Sequence, residues 1–286
     1  MGDFGLYGHA VDGFDDPARM LRPALPGWPG LRVERVGLDT GRRRPADLEP
    51  GEPRFDERRA EVWIDDEEVV DLDRDEGVVR FATARRLTDD LLAHPYLGLP
   101  LAVANRWAGR QSLHGGAFLR GGAAWALLGT TESGKSSTLA WLRARDHTIV
   151  SDDILALDGT ALFAGPATVD LRGEAAARLG GEPIDVGAGR ERHRVRAGDA
   201  PPAAPLAGIV HLEWGDAVAV ERVAPSERLV RLLANSVFGP TADDAAAYVH
   251  LAGLPTYWLR RPRAIDGIDD ANEHLLAVLD QVAGRA

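Results

Sequence analysis

Apolar and polar residues alternate along three short stretches in the first third of the chain: LRVERVG (31–37), AEVWIDD (60–66) and GVVRFAT (77–83). A period of two is the pattern of a strand with one face buried, so each stretch is expected to be a strand. Segments rich in Pro, Gly and Arg separate them, TGRRRPADLEPGEPR (40–54) among them. A helix is expected from Thr88, where TDDLLAH puts two acidic residues in the first turn and so favours the positive end of the helix dipole. LGLPLAVANRWAG (97–109) reads as partly helical. Residues 1–108 are therefore expected to form a small α+β domain with no obvious chemistry of its own.

The pattern changes near Gly109. GAAWALLG (122–129) is a short apolar run that suits a buried strand, and KSSTLAWLRAR (135–145) carries Leu139 and Leu142 at helical spacing. HTIV (147–150) reads as a second buried strand and ALFAGPATVDLRG (161–173) as one or two more. Residues 179–206, dense in Gly, Pro and Arg, read as a mobile loop. LAGIVHLEW (206–214) and PTYWLRRP (255–262) return to strand. SERLVRLLANSVFG (226–239) is expected to be a helix with Ser226 as its N-cap and Gly239 as its stop. DDANEHLLAVLDQVAG (269–284) closes the chain as an amphipathic helix. Strands alternating with helices make residues 109–286 an α/β unit.

Composition narrows the classes of function. The chain has 286 residues and a formal net charge of -11, which is the wrong sign for a general nucleic-acid binder. It has no cysteine, which excludes disulfides, thiol nucleophiles and thiolate metal ligands. The first residues lack the basic and apolar regions of a signal peptide. No run of about 18 apolar residues suggests a membrane span, so a cytoplasmic setting is expected. Of the 33 Lys and Arg residues a single one is lysine, Lys135.

That lysine lies in GTTESGKS, Gly129 to Ser136, which fits the phosphate-binding pattern G-x-x-x-x-G-K-[ST]. Glycines let backbone N–H groups turn toward phosphate oxygens, and the helix that follows offers its positive end to the same anion. Lys135 would place a compact charge on the β- and γ-phosphates, where a forked guanidinium fits poorly. Ser136 would offer its hydroxyl to Mg²⁺. Gly129, Thr130, Thr131, Glu132, Ser133, Gly134, Lys135, Ser136 and Ser137 are thus the expected nucleotide-binding residues, with ATP and Mg²⁺ as cofactors.

Such a loop needs a carboxylate from a neighbouring strand. TIVSDD supplies Asp152 and Asp153, roughly 17 residues past the lysine, beside the loop if the two strands are neighbours. One could hold the metal and the other accept a proton from an attacking hydroxyl. With no second lysine the guanine-reading N-K-x-D motif is impossible, and the LSGGQ of ABC transporter ATPases is absent. A kinase-like site or a simple nucleoside triphosphatase remains.

Four segments together resemble the catalytic domain of HPr kinase/phosphorylase and its relatives: SLHGGAF with His114, GTTESGKSST, TIVSDD, and VDLRG (169–173), where Asp170 stands in place of that family's Glu. LPTYWLRRP also looks like a segment of such proteins. The resemblance runs from about Gly109 to the C-terminus and leaves the N-terminal part unmatched. It implies a P-loop kinase core similar to phosphoenolpyruvate carboxykinase, although the carboxykinase activity itself uses a further lysine. It implies ATP, Mg²⁺ and phosphorylation of a serine hydroxyl. Asp152 or Asp153 would be the general base, with His114 close by. Ser136 and one acidic residue among Asp152, Asp153 and Asp170, with Asp153 and Asp170 favoured, would hold the metal, and the remaining aspartate would deprotonate the acceptor hydroxyl. Arg172 would touch the γ-phosphate or be an ordinary surface residue.

The divergent N-terminal part looks more like the relatives found in peptide-tailoring gene clusters, including those for lasso peptides, so the acceptor would be a serine of a peptide or protein. Two other readings stay open: a nucleotide-gated binding module without kinase activity, and a kinase for a small molecule such as free serine. No nucleic-acid or membrane partner is expected. HPr kinases form hexamers, which makes a homo-oligomer an option, but no segment here specifies that interface.

Other candidates have plainer readings. Arg190, Arg192, Arg194 and Arg196 would either close over phosphates or, with His193, decorate a solvated loop. Arg260, Arg261 and Arg263 read as decoration of a strand end, and Trp125 and Trp141 as core. DDEE (65–68) and DLDRDEG (71–77) read as solvated turns, and the eight His show no metal-ligand spacing.

Overall fold

The computed structural model describes residues 2–39, 41–186 and 191–283. The first sheet holds β1 (Phe4–Leu6), β2 (His9–Asp12), β3 (Arg22–Pro23), β4 (Gly30–Val36), β5 (Pro53–Phe55), β6 (Arg59–Trp63), β7 (Val69–Asp73) and β8 (Val78–Ala82). Their order is β3-β1-β2-β4-β8-β7-β6-β5. The register explains the alternation seen in the sequence. Val33, Val79, Leu72 and Ala60 face one another across β4, β8, β7 and β6 on the buried side. The next residue of each strand forms a charged row on the other side: Glu34 opposite Arg80, Arg80 opposite Asp71, Asp71 opposite Glu61. The opposite charges of Glu34, Arg80 and Asp71 add a little stability each, and Arg42 bridges the two like charges of Asp71 and Glu61, at 2.5 and 3.4 Å.

A short helix, α1 (Asp89–Leu91), follows Thr88, as the sequence led one to expect, and the Thr88 hydroxyl accepts from the Leu91 N–H. An irregular helical stretch, Leu92–Tyr96, leads into α2 (Gly98–Trp107). The chain continues with β9 (Gln111–Arg120), β10 (Ala123–Leu128), α3 (Lys135–Arg143), β11 (Ile149–Ser151), β12 (Ile154–Asp158) and β13 (Ala161–Phe163). Then come β14 (Thr168–Leu171), α4 (Gly173–Leu179), β15 (Glu182–Asp185) and β16 (Glu191–Arg196), with the strands in a small sheet ordered β14-β16-β15. β17 (Ala203–Trp214), β18 (Ala219–Arg222), α5 (Pro225–Leu233), α6 (Ala245–Ala252), β19 (Thr256–Arg261) and α7 (Ile268–Ala283) complete the chain.

The second large sheet runs β10-β9-β12-β13-β17-β19-β18, and β10 also pairs with β17 in parallel, so five of its strands close into a ring. Helices cover both faces. Leu139, Trp141 and Leu142 of α3 and Leu275 and Leu279 of α7 pack with Phe118, Leu127 and Val210. Leu232 of α5 and Tyr248 and Leu251 of α6 pack with Leu128, Leu206 and Ile209 on the other side. Each fully buried Leu stabilises the fold by roughly 1.5–3 kcal/mol. The whole is a mixed α/β protein. No helix among the described residues is long and apolar enough to cross a membrane.

The N-terminal sheet does not keep a core to itself. Leu6, Tyr7, Val33, Phe81, Leu97 and Leu101 share one apolar cluster with Ile154, Ala156 and Phe163 from beyond residue 109. α2 lies across β9 and β12 and forms the seam.

Three expectations need correction. Residues 179–206 are not simply a loop: they contain β15 and β16, although Gly187–Arg190 lie outside the described residues. β16 shows no clear apolar face because its fully buried residue is an arginine, Arg194, which faces Asp170 of β14, and Val195 is its one apolar position. The helix expected over 226–239 starts instead at Pro225 and ends at Leu233. Proline fits the first helical turn because its missing N–H would find no partner there, and Ser226 makes no cap. Finally, β10 and β11 are not neighbours. β9 lies between them and pairs with both.

Candidate functional site

The turn from β10 into α3 takes positive φ at three residues, two of them glycines, which do so without steric cost. Gly129 has φ +153, Glu132 +65 and Gly134 +89. A side chain at Gly129 would crowd the Ser133 hydroxyl at 2.6 Å and the Leu212 carbonyl at 2.8 Å. The Gly129 N–H donates to Asn235 Oδ1 at 3.0 Å, so the end of α5 anchors the start of the loop. Lys135 bends back and donates from Nζ to the carbonyls of Gly129 (2.8 Å) and Thr130 (3.0 Å). Burial lowers its pKa, against the pull of Asp152 and Asp153. The Ser133 hydroxyl is buried with no hydrogen-bond partner among the described residues.

α3 crosses over β9, whose Gly116 leaves room for Leu139. This crossing carries Ser136 over the intervening strand to the aspartates. Ser136 Oγ lies 3.1 Å from Asp152 Oδ1. Asp152 is buried, and its pKa is raised to about 7, first by burial and then by the adjacent Asp153. Asp153 has φ +74, and the Ile154 N–H donates across it to the Asp152 carbonyl at 3.0 Å. That is the γ-turn with positive φ, the rarer and more strained kind, costing on the order of 1–3 kcal/mol. The strain aims Asp153 away from Asp152 and toward His114, whose Nδ1 is 3.4 Å from Asp153 Oδ1. Burial and the charge of Lys135 hold the His114 imidazole below its usual pKa, so it is neutral at pH 7. The floor of this turn is packed: a Cβ at Gly165 would fall on the Ser151 hydroxyl and the Tyr7 ring.

These groups surround a cavity of about 510 Å³ that His114, Lys135, Ser136, Asp152, Asp153 and Arg261 all line. The size suits a small-molecule ligand. Of the expected binding residues, Thr131, Glu132, Gly134, Ser137 and Arg172 also line it. Glu132 is held between Arg263 (3.4 Å) and Arg172 (3.8 Å) over the loop. Asp170 lines the cavity too, but both its oxygens accept from Arg194, at 2.8 and 2.7 Å. The structure therefore pairs Ser136 with Asp152, Asp153 with His114, and Asp170 with Arg194.

The loop fits a phosphate chain. It has two left-handed glycines, and among the described residues the buried Ser133 hydroxyl has no partner and the lysine bonds only to carbonyls. Ser136 and Asp152 fit a divalent cation, which would offset the cost of a buried carboxylate. Among the described residues no three His, Asp or Glu side chains converge as a metal cluster. A cation here would draw its remaining ligands from phosphate and water, as Mg²⁺ commonly does.

The arginines divide differently from the sequence reading. Arg194 and Arg196 do not close over this cavity. Arg194 donates to the carbonyls of Asp90 and His94 at 2.8 Å, and Arg196 pairs with the Asp90 carboxylate at 2.7 Å. Arg190 lies outside the described residues. Arg260 sits on the surface with Glu213 and Glu221, as expected of a strand end. Arg261, expected to decorate a strand end, is instead buried against the loop. The signal was the strand period: Tyr257, Leu259 and Arg261 share the buried face of β19. Asn235 was missed, because the register of a helix end against a distant loop leaves no local pattern.

No family model matches this sequence, and no curated protein matches it. Among solved structures the chain is similar to the HPr(Ser) kinase/phosphatase from Coxiella burnetii, at 12% identity and a TM-score of 0.31. The match covers 61% of this chain and 94% of that one. So loose a likeness adds nothing to the geometry, on which the functional reading rests.

Proposed function

We propose that this protein is an ATP- and Mg²⁺-dependent kinase that transfers the γ-phosphoryl group to a serine hydroxyl of a peptide or protein. The observation that carries the reading is the Ser136–Asp152 pair at 3.1 Å beside a lysine-bearing glycine loop, with Asp153 in the same cavity. The loop N–H groups and the N-terminus of α3 bind the phosphate chain. Lys135 exchanges its two carbonyl partners for β- and γ-phosphate oxygens. Ser136 and Asp152 would hold a divalent metal, which would supply positive charge to offset that of the transferring group. Asp153 accepts the proton as the acceptor oxygen bonds to the γ-phosphorus and the bond to the ADP oxygen breaks. Neutral His114 orients Asp153. The choice of a peptide or protein serine rests on the sequence resemblance alone.

The test is transfer of labelled γ-phosphate to serine-containing peptides. Asp153→Asn should lower the turnover by roughly 10²–10⁴-fold, the usual contribution of a general base, while leaving ATP affinity nearly unchanged. Equal turnover in the two proteins would remove Asp153 from the chemistry. ATP binding with no acceptor labelled from any source would remove the kinase reading.

A further inference from the structure

Arg261 is 4% exposed and lines the cavity, at the end of β19. Its Nη2 donates to the Gly134 carbonyl and to Thr138 Oγ1, both at 3.2 Å, and its Nε has no partner among the described residues. Its Cζ stands 5.3 Å from the centre of the Trp214 ring. No carboxylate among the described residues lies within ion-pair distance of it. Burial alone lowers its pKa to about 10, which still leaves it charged at neutral pH.

A buried cation facing only neutral groups is costly, and proteins normally pair such a charge. This one does so elsewhere. Arg194, equally buried, is gripped by Asp170, and Arg22 has Asp199 at 3.7 Å. The contrast lies at the root of the phosphate loop. Gly134 has no Cβ where one would fall on Arg261 Nη2, so the guanidinium lies directly against the residue at the N-cap of α3.

We propose that Arg261 is a second cation of the phosphate site and that its counter-ion is the phosphate chain of the bound nucleotide. This rests on the nucleotide-binding part of the function proposed above. The free protein holds an uncompensated charge, and a polyphosphate ligand neutralises it.

Calorimetry with ATP, inorganic tripolyphosphate and AMP, and thermal unfolding without ligand, on wild type, Arg261→Met, Arg261→Lys and Lys135→Ala, tests the idea. Arg261→Met should melt no lower than wild type, because an unpaired buried charge has gone. It should bind both ATP and tripolyphosphate at least about tenfold more weakly, the worth of a charged hydrogen bond, and lose little for AMP. Arg261→Lys should fall between the two. A loss for ATP with none for tripolyphosphate would move Arg261 to the nucleoside and overturn the assignment. Arg261→Met and Arg261→Lys that both melt lower yet bind within twofold of wild type would make Arg261 a structural tie. If Lys135→Ala loses affinity while the Arg261 variants do not, this inference fails and the proposed function stands. If wild type binds neither polyphosphate, both fail.

Discussion

Asp152 is a carboxylate that folding makes harder to ionise. Its pKa rises from 3.8 to about 7 through burial and the neighbouring Asp153. Between about pH 4 and 7 the native state holds a proton that the unfolded chain has lost. Stability from this group therefore falls as pH rises through that window and levels off above it. His9 and His211 act oppositely: burial lowers both to about 4, so their contribution rises with pH from about 4 to 6.5. The difference between wild type and Asp152→Asn isolates the aspartate. Urea unfolding across pH 4–8 should show the variant gaining on wild type as pH rises, with no further gain above 7. A flat difference would mean the carboxyl is ionised throughout. The sequence made the two adjacent aspartates legible as a pair, and the lysine beside them as well. It did not assign Asp152 to Ser136 and Asp153 to His114, because a single strained γ-turn separates their directions. Nor did it show that Asp170 is occupied, because its partner comes from a strand mistaken for a loop.

Among the elements, β16 was hardest to read for a physical reason. A strand is normally recognised by an apolar face, and here Arg194 occupies that face as one half of an ion pair whose side chains are 2% and 7% exposed. The same guanidinium bonds the Asp90 and His94 carbonyls, so one residue joins β14, β16 and the segment leading into α2. Removing one partner of a buried pair leaves the other charge stranded, which typically costs about 3–5 kcal/mol. Arg194→Met should lower stability by that amount in chemical denaturation, and a loss below about 1 kcal/mol would show the pair to be solvated. Elements with plain periodicity, such as β4, β8, α3 and β19, were legible within a residue or two. The order of strands was not. The interposed β9 reaches both β10 and β11 through long-range pairing that no local pattern records.

At the scale of the whole molecule, the cavity is assembled from parts distant in the chain. β10 and α3 supply the loop, the β11–β12 turn the aspartates, β19 the buried arginine and the turn after α5 the asparagine that anchors Gly129. The N-terminal sheet contributes from beneath: the Tyr7 ring stands at the floor of the aspartate turn, and the shared core binds this sheet to β12 and β13. The site's charges are arranged against an overall net charge of -11, which would repel a nucleotide without local cations. Lys135 and Arg261 are the buried cations at the loop. We propose that residues 129–137 bind the phosphates of a nucleoside triphosphate. Titration of Mg²⁺–ATP into wild type and Lys135→Ala at neutral pH tests it most directly. One site per chain is expected in wild type, with at least about tenfold weaker binding in the variant; equal affinity in the two proteins, or no binding by wild type, would rule phosphate binding by this loop out.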